Sequence, residues 1–312
     1  MDVVMGTNLQ LLGLQAAPRL AEKFDVQLED FIGFDDLYGA KPKQFMQAYK
    51  QCGRILGHLF KEFNISWWDV YLSSDIGMER MGLAQDMGLG KDDVVLDVGC
   101  GRGYFTFAAA RCSRVVLGLD GMDGMRRQGW WRSFQESVFE LKLGRKIQGI
   151  KSDARLIPLK ERSVQKAVAV HCIRNLQDRR VIQYALQEMN RVVTSKGETI
   201  IVENIPIVKN KAQEAHLAMF KCKCENTTGE AFYYTEEELL TMLEEADLRE
   251  ASVETVDYNL SATPPIFYLD VSRLTIKRRQ KVEPKYITAL DKVKKHGETS
   301  TPAIIIRISK HQ

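Results

Sequence analysis

Asp93-Val-Val-Leu-Asp-Val-Gly-Cys-Gly-Arg-Gly103 is the stretch that decides the fold. A short apolar run suited to a buried strand breaks into three alternate glycines, Gly99, Gly101 and Gly103. The Ala-rich, helical stretch Tyr104 to Cys112 follows at once. Gly99 and Gly101 allow dihedrals closed to other residues, so the chain can turn sharply beside a ligand. The following helix points its positive N-terminal end into the same crevice, which favours a carboxylate or phosphate there. In open α/β sheets this crevice lies at the carboxyl ends of the strands.

Outward from the loop, strand-like and helix-like stretches alternate. Arg114 to Asp120 reads as a second strand, Arg126 to Leu143 as a helix, and Lys146 to Ile150 as a third strand. Val164 to Val170, Glu198 to Val202 and Ala251 to Tyr258 are the next strands, with a helix over Arg180 to Val193. Thr235-Glu-Glu-Glu238 has the spacing of a capping box opening a helix to about Ala246. Thr301 to Ile308 is the last strand. Such alternation predicts a Rossmann-like, doubly wound α/β fold. Seven strands are expected, mostly parallel, with the last antiparallel. Residues 1–77 read as a helical extension or lid, 78–260 with 300–312 as the core, and 261–299 as an insert between the last two strands.

Three acids strengthen the loop. Asp120 ends the second strand, where a carboxylate can take two hydrogen bonds from a ribose diol; its plainer role is to cap the next helix. Asp153-Ala154 follows the third strand, where a carboxylate can accept from an adenine amino group or simply hold a surface turn. Asp97 lies inside the crevice, where it would repel a pyrophosphate and attract an ammonium group. That acid, the G-x-G-x-G spacing and the Asp153-Ala154 pair argue against a nicotinamide-dependent oxidoreductase.

The arrangement resembles the class I S-adenosylmethionine (SAM)-dependent methyltransferases, of the methyltransferase type 11-like kind. Their D-x-G-x-G-x-G motif stands here as Asp97, Gly99, Gly101 and Gly103, their ribose acid as Asp120 beside Gly121 and Met122, and their adenine-contacting pair as Asp153 and Ala154. The resemblance implies SAM as cofactor, S-adenosylhomocysteine as product and His171 at the cofactor's edge. Ile173-Arg-Asn-Leu-Gln-Asp178 also resembles a short segment of ubiquinone and menaquinone C-methyltransferases.

Methyl transfer from a sulfonium is an in-line displacement, so the protein must align the groups, exclude water and, where needed, remove an acceptor proton. His171 and His216 are candidate bases, against packed or surface histidines as the plainer reading. Arg174 is a candidate to orient an anionic acceptor, or the partner of Asp178 or Glu203 in an ion pair. Trp67, Trp68 and Tyr71 are either an aromatic lid or the apolar face of a packed helix, while Trp130 and Trp131 read as packing residues. The methyl acceptor, small molecule or protein, is not legible. A non-catalytic SAM-binding scaffold is the alternative, and an RNA methyltransferase a weaker one.

Bulk composition narrows the field further. With 45% hydrophobic and 27% charged residues the chain is that of a folded protein. A net charge of +3 is too small to imply nucleic acid. The basic cluster of the insert (Lys277, Arg278, Arg279, Lys281, Lys285, Lys292, Lys294 and Lys295) is interspersed with Glu283, Asp291 and Glu298, which favours a solvated helix face over an RNA surface. The insert otherwise suits acceptor selection or homodimer contacts. Cys222 and Cys224 form C-x-C, not the C-x₂-C of a zinc site, so no metal is expected. Met1 to Leu20 lacks a basic region before a continuous apolar core, and no run approaches the roughly 18 apolar residues of a membrane span. A cytoplasmic protein is the expectation.

Overall fold

The structure, a computed structural model, describes residues 8–27, 31–33, 35–121, 128–226, 232–261 and 284–310. Along the chain run α1 (Asn8–Lys23), α2 (Pro42–Glu62), α3 (Trp67–Leu72), α4 (Asp75–Asp86), β1 (Val94–Val98), α5 (Tyr104–Cys112), β2 (Val115–Asp120), α6 (Gln128–Glu140) and β3 (Ile147–Lys151). There follow β4 (Val164–Val170), α7 (Arg179–Val192), β5 (Val193–Asn204), α8 (Lys211–Asn226), α9 (Glu236–Glu245), β6 (Ala251–Val256), α10 (Pro284–His296) and β7 (Ala303–Ser309).

The chain divides into two compact units. One comprises residues 80–206, 233–258 and 302–312 and holds the sheet. Its seven strands lie in the order β3-β2-β1-β4-β5-β7-β6. The pairs among β1 to β5 are parallel, and β7 runs antiparallel to both β5 and β6. This is the expected Rossmann-like sheet. Its central strands β1 and β2 are buried along almost their whole length because both faces are covered. Leu96 and Val98 of β1, Leu117 and Leu119 of β2, Ala167 and Ala169 of β4, and Ile304 and Ile306 of β7 pack against Ile182, Leu186 and Met189 of α7 and Leu239 and Leu243 of α9. At β1 the pleat turns Val95 and Asp97 the other way, so Asp97 emerges on the opposite face at the carboxyl end.

Two ends of elements show why the chain folds here as it does. Thr235 accepts from the Glu238 amide at 3.2 Å, and the Glu238 carboxylate takes the Thr235 amide at 2.7 Å, so the capping box forms as read. Asp178, one of the two acids considered for Arg174, instead caps α7 by accepting from the Arg180 and Val181 amides.

The other unit comprises residues 1–79, 207–232 and 259–301. It is helical, and α8, which the sequence reading had kept inside the core, belongs to it. Helices α8 and α10 meet through Ala215, Met219, Cys222, Tyr286, Ala289 and Val293, with Tyr38 beside them. Lys292 donates to Glu214 at 2.8 Å and Lys285 lies 3.9 Å from Glu225, so part of the insert's basic cluster is engaged by acids of α8. Lys277, Arg278, Arg279 and Lys281 lie outside the described residues. Trp67 packs on Phe60 with ring centroids 5.0 Å apart, and Trp68 meets Tyr71 edge-on at 5.4 Å. These aromatics are packed within their own unit. No helix among the described residues is long and apolar enough to cross a membrane.

Candidate functional site

The site is built at the carboxyl ends of β1, β2, β4 and β5. Leaving β1, the chain makes three left-handed turns in five residues, with φ of 73° at Gly99, 53° at Gly101 and 85° at Gly103. The amides of Gly99 and Cys100 both donate to the Leu119 carbonyl, at 2.7 and 3.0 Å, which fastens the loop to β2.

The glycines serve different ends. A Cβ on Gly99 would lie 2.0 Å from the Cys172 sulfur, and one on Gly103 only 2.3 Å from the Phe134 ring, so these two are bare because protein fills the space. At Gly101 the nearest atoms would be 3.9 Å away. That residue alone of the three would admit a Cβ without a clash, in ordinary contact with the Trp130 ring.

Asp120 closes the cradle. Its carboxylate accepts from the Gly101 amide at 2.8 Å, and the residue is buried. Asp97 lies beneath, 2% exposed, accepting from the Thr106 hydroxyl of α5 at 2.5 Å. Burial pushes the Asp97 carboxyl from 3.8 up to about 7; the Thr106 hydrogen bond and the Arg80 charge lower it, and the Asp120 charge raises it. A buried carboxylate poised in this way gains most from a cation brought to it, which fits an ammonium group.

Asp153 behaves differently. Its two oxygens are taken by Arg155, at 3.0 Å from Nε and 2.7 Å from Nη2, and its side chain is 44% exposed. The Arg155 hydrogen bond holds its carboxyl below the usual range. Ala154 is buried in the core, and a Cβ on Gly121 would meet the Ser152 carbonyl oxygen at 3.6 Å. Met122 lies outside the described residues.

The neighbouring strand ends supply a second group of polar residues. His171 follows β4 in a left-handed conformation, φ 50°, its amide donating to the Val202 carbonyl of β5 at 2.8 Å. A non-glycine residue held there is strained, and such strain gathers at functional sites. Burial, with the charges of Arg80 and Arg174, holds its imidazole well below its usual range and therefore neutral. Arg174 lies 3.5 Å from Glu203 at the end of β5, and its guanidinium sits over the Tyr233 ring, 5.3 Å from the centroid. Of the two acids considered for it, Glu203 is the partner. Glu203 is 1% exposed, and burial raises its carboxyl above the ordinary value despite Arg174. His216 belongs to the helical unit, fully buried on α8 with Nδ1 against the Glu298 carboxylate.

Arg80 of α4 was not singled out in the sequence, yet its charge acts on Asp97, His171 and Glu203 alike. Nothing in the local sequence around Arg80 marks it; only the packing of α4 brings it here. Trp130 was read as packing. Its ring packs beside the loop, with Cε3 and Cζ3 each 3.9 Å from where a Cβ on Gly101 would stand. Among the described residues, no group of three or more His, Cys, Asp or Glu side chains is placed to hold a metal ion.

Comparison with known proteins agrees with the motifs. Residues 96–201 match the family model described as a methyltransferase domain. Asp97, the glycine loop, Asp120, Asp153, His171 and Arg174 all fall within those bounds. Over 137 residues the chain is 29% identical to demethylmenaquinone methyltransferase of Staphylococcus aureus; the match covers 42% of this chain and 52% of that protein. The chain thus spans about half the length of the curated relatives it matches. Among solved structures it resembles a cyclopropane-fatty-acyl-phospholipid synthase-like protein from Lactobacillus casei, with a TM-score of 0.58 and 12% identity over 77% of this chain and 92% of that one. It also resembles the [4+2]-cyclase SpnF, with a TM-score of 0.51 and 17% identity over 80% of this chain and 84% of that one. At such identities these structures speak for the fold alone. The resemblance to methyltransferases first seen in the glycine loop therefore stands on a family match as well as on residues.

Proposed function

We propose that the methyltransferase domain at residues 96–201 binds SAM in the cradle formed by the glycine loop, Asp97 and Asp120, and that the chain transfers its methyl group to an acceptor held near His171 and Arg174. The observation that carries this reading is the pairing of Asp120 with the Gly101 amide above a second, buried carboxylate at Asp97. A ribose diol suits Asp120, and an ammonium group suits Asp97. A pyrophosphate would meet two carboxylates there.

The bound cofactor supplies an electrophilic methyl group; the rest falls to this chain's residues. The loop, anchored to the Leu119 carbonyl, sets a rigid floor. Burial of Asp97, Cys172 and Ile173 excludes water from that side. His171 is neutral and can accept a proton, but Arg80 and Arg174 disfavour its charged form. It becomes an effective base only for an acceptor that brings negative charge with it. Arg174, beside Glu203 and over the Tyr233 ring, carries a charge that would orient such an acceptor. His216, paired with Glu298, serves better as a structural residue than as the base.

The similarity of Ile173 to Asp178 to quinone C-methyltransferases, and the S. aureus match, make quinol precursors the first acceptors to screen. Calorimetric titration of the purified chain with SAM and S-adenosylhomocysteine, with NAD as control, tests the cofactor reading. Micromolar binding of both sulfur compounds and none of NAD is expected. Binding of NAD alone, or of none of the three by folded, ligand-free protein, refutes it.

A further inference from the structure

We infer that the outer face of α2 docks on an anionic lipid surface. The helix runs from Pro42 to Glu62 with its apolar side turned inward, where Phe45, Ala48, Cys52, Leu56 and Leu59 share one buried cluster with Leu14, Ala17 and Leu20 of α1. At about 100° per residue, Lys43, Lys50, Arg54 and Lys61 fall within about 40° of one another on the opposite side. All four are exposed. With a rise of about 1.5 Å per residue they form a row about 27 Å long. Glu62 is the sole acid of the helix. It points about 100° away from the row.

These charges are not neutralised within the protein. Among the described residues Lys43, Lys50 and Arg54 enter no ion pair, and Lys61 meets the exposed Glu62 at 3.1 Å, a contact of little strength in water. Lys292 and Lys285 of the insert differ, each facing an acid of α8. On one flank of the row, no other part of the described chain comes within 4 Å of where a Cβ on Gly53 or Gly57 would stand, so that side is uncovered. Apolar groups stand at both ends. Met46, one turn on from Lys43, is 41% exposed; Phe63, past Lys61, is 40% exposed with its ring 6.1 Å from that of His58. Cations along one line, with apolar side chains beside them, match a flat bilayer surface. Headgroup phosphates and carboxylates take the Lys and Arg, while Met46 and Phe63 enter the acyl boundary. A nucleic-acid strand would satisfy the cations but leave Met46 in water, so the lipid surface is the better fit.

The test is co-sedimentation of the full chain with mixed phosphatidylserine and phosphatidylcholine vesicles and with pure phosphatidylcholine vesicles, with melting curves to confirm folding. The wild type should bind the anionic vesicles and not the neutral ones, and high salt should release it. Each cation near such a surface strengthens binding about fivefold, so Lys50→Ala/Arg54→Ala should weaken it about 25-fold. Lys142→Ala/Arg145→Ala, which removes the same charge from exposed positions of the sheet unit, should bind as the wild type does. A folded wild type that ignores anionic vesicles overturns the inference, and so does an equal loss in both double variants. Polyuridylate RNA that strips the wild type from the vesicles at equal phosphate concentration assigns the row to nucleic acid instead. Should the alanine variant fail to fold, Lys50→Gln/Arg54→Gln carries the same comparison.

Discussion

Single residues carry the cofactor argument, and they separate binding from folding. Asp120→Ala removes a buried acceptor of charge-assisted hydrogen bonds, each worth about 1.5–3 kcal/mol. SAM affinity should fall at least tenfold in calorimetry while the fold persists. The two glycines should part company: Gly99→Ala drives a Cβ into the Cys172 sulfur and should lower the melting temperature markedly, whereas Gly101→Ala bears mainly the left-handed backbone penalty of about 1–2 kcal/mol and should damage affinity more than stability. Asp97 makes a pH prediction. Its native carboxyl, raised by burial to about 7, holds a proton that the unfolded chain has already lost, so stability falls as pH rises from about 4 to about 7. An ammonium-bearing ligand prefers the ionised form, so binding of S-adenosylhomocysteine should tighten from pH 6 to pH 8. Calorimetry of the wild type against Asp97→Asn, in which the dependence should flatten, decides it. Asp97, Gly101 and Asp120 were readable because a strand end and alternate glycines fix their places. Arg80 was not: only the packing of its helix brings its charge to bear on Asp97, His171 and Glu203, which no local spacing records.

At the scale of elements, helix caps and glycine punctuation made most boundaries legible. The limits of β4 and α5 match the apolar runs Val164 to Val170 and Tyr104 to Cys112. Thr235→Ala should cost about 1 kcal/mol and speed amide exchange in the first turn of α9. Unchanged exchange there would mean the cap contributes nothing. β5 was misjudged. It begins at Val193, not Glu198, because Ser195-Lys-Gly197 imitates a turn while the chain in fact continues extended past an irregular pairing with β4. Gly197 stays bare there because a Cβ would lie 2.2 Å from the Gln165 carbonyl oxygen. α8 escaped notice for another reason: its buried positions mix polar Gln213, His216 and Lys223 with Ala215, Met219, Phe220 and Cys222, so no apolar stripe marks it in the sequence.

At the scale of the whole molecule, each unit has its own source of cohesion. In the helical unit the Glu298 carboxylate gathers residues remote in sequence: His216, the Tyr38 hydroxyl at 2.6 Å and the Ser261 hydroxyl at 2.5 Å. Burial pushes this carboxyl up, but His216, Ser261 and Tyr38 together hold it below its usual value. Its contribution is therefore present above the unfolded value and is lost as pH falls through it into the acid range. Removing one partner of a buried pair costs about 3–5 kcal/mol. Glu298→Gln should melt earlier near pH 7, with the gap to the wild type narrowing toward pH 3; a constant gap would deny the carboxylate that role. In the sheet unit, cohesion depends on the order of manufacture. β7 lies between β5 and β6 yet leaves the ribosome after both. Until it arrives, Ile200 to Asn204 of β5 form an unfinished edge and β6 has no neighbour in the sheet to join. A nascent chain halted before Ala303 thus carries an apolar ribbon whose unpaired backbone groups can join another copy.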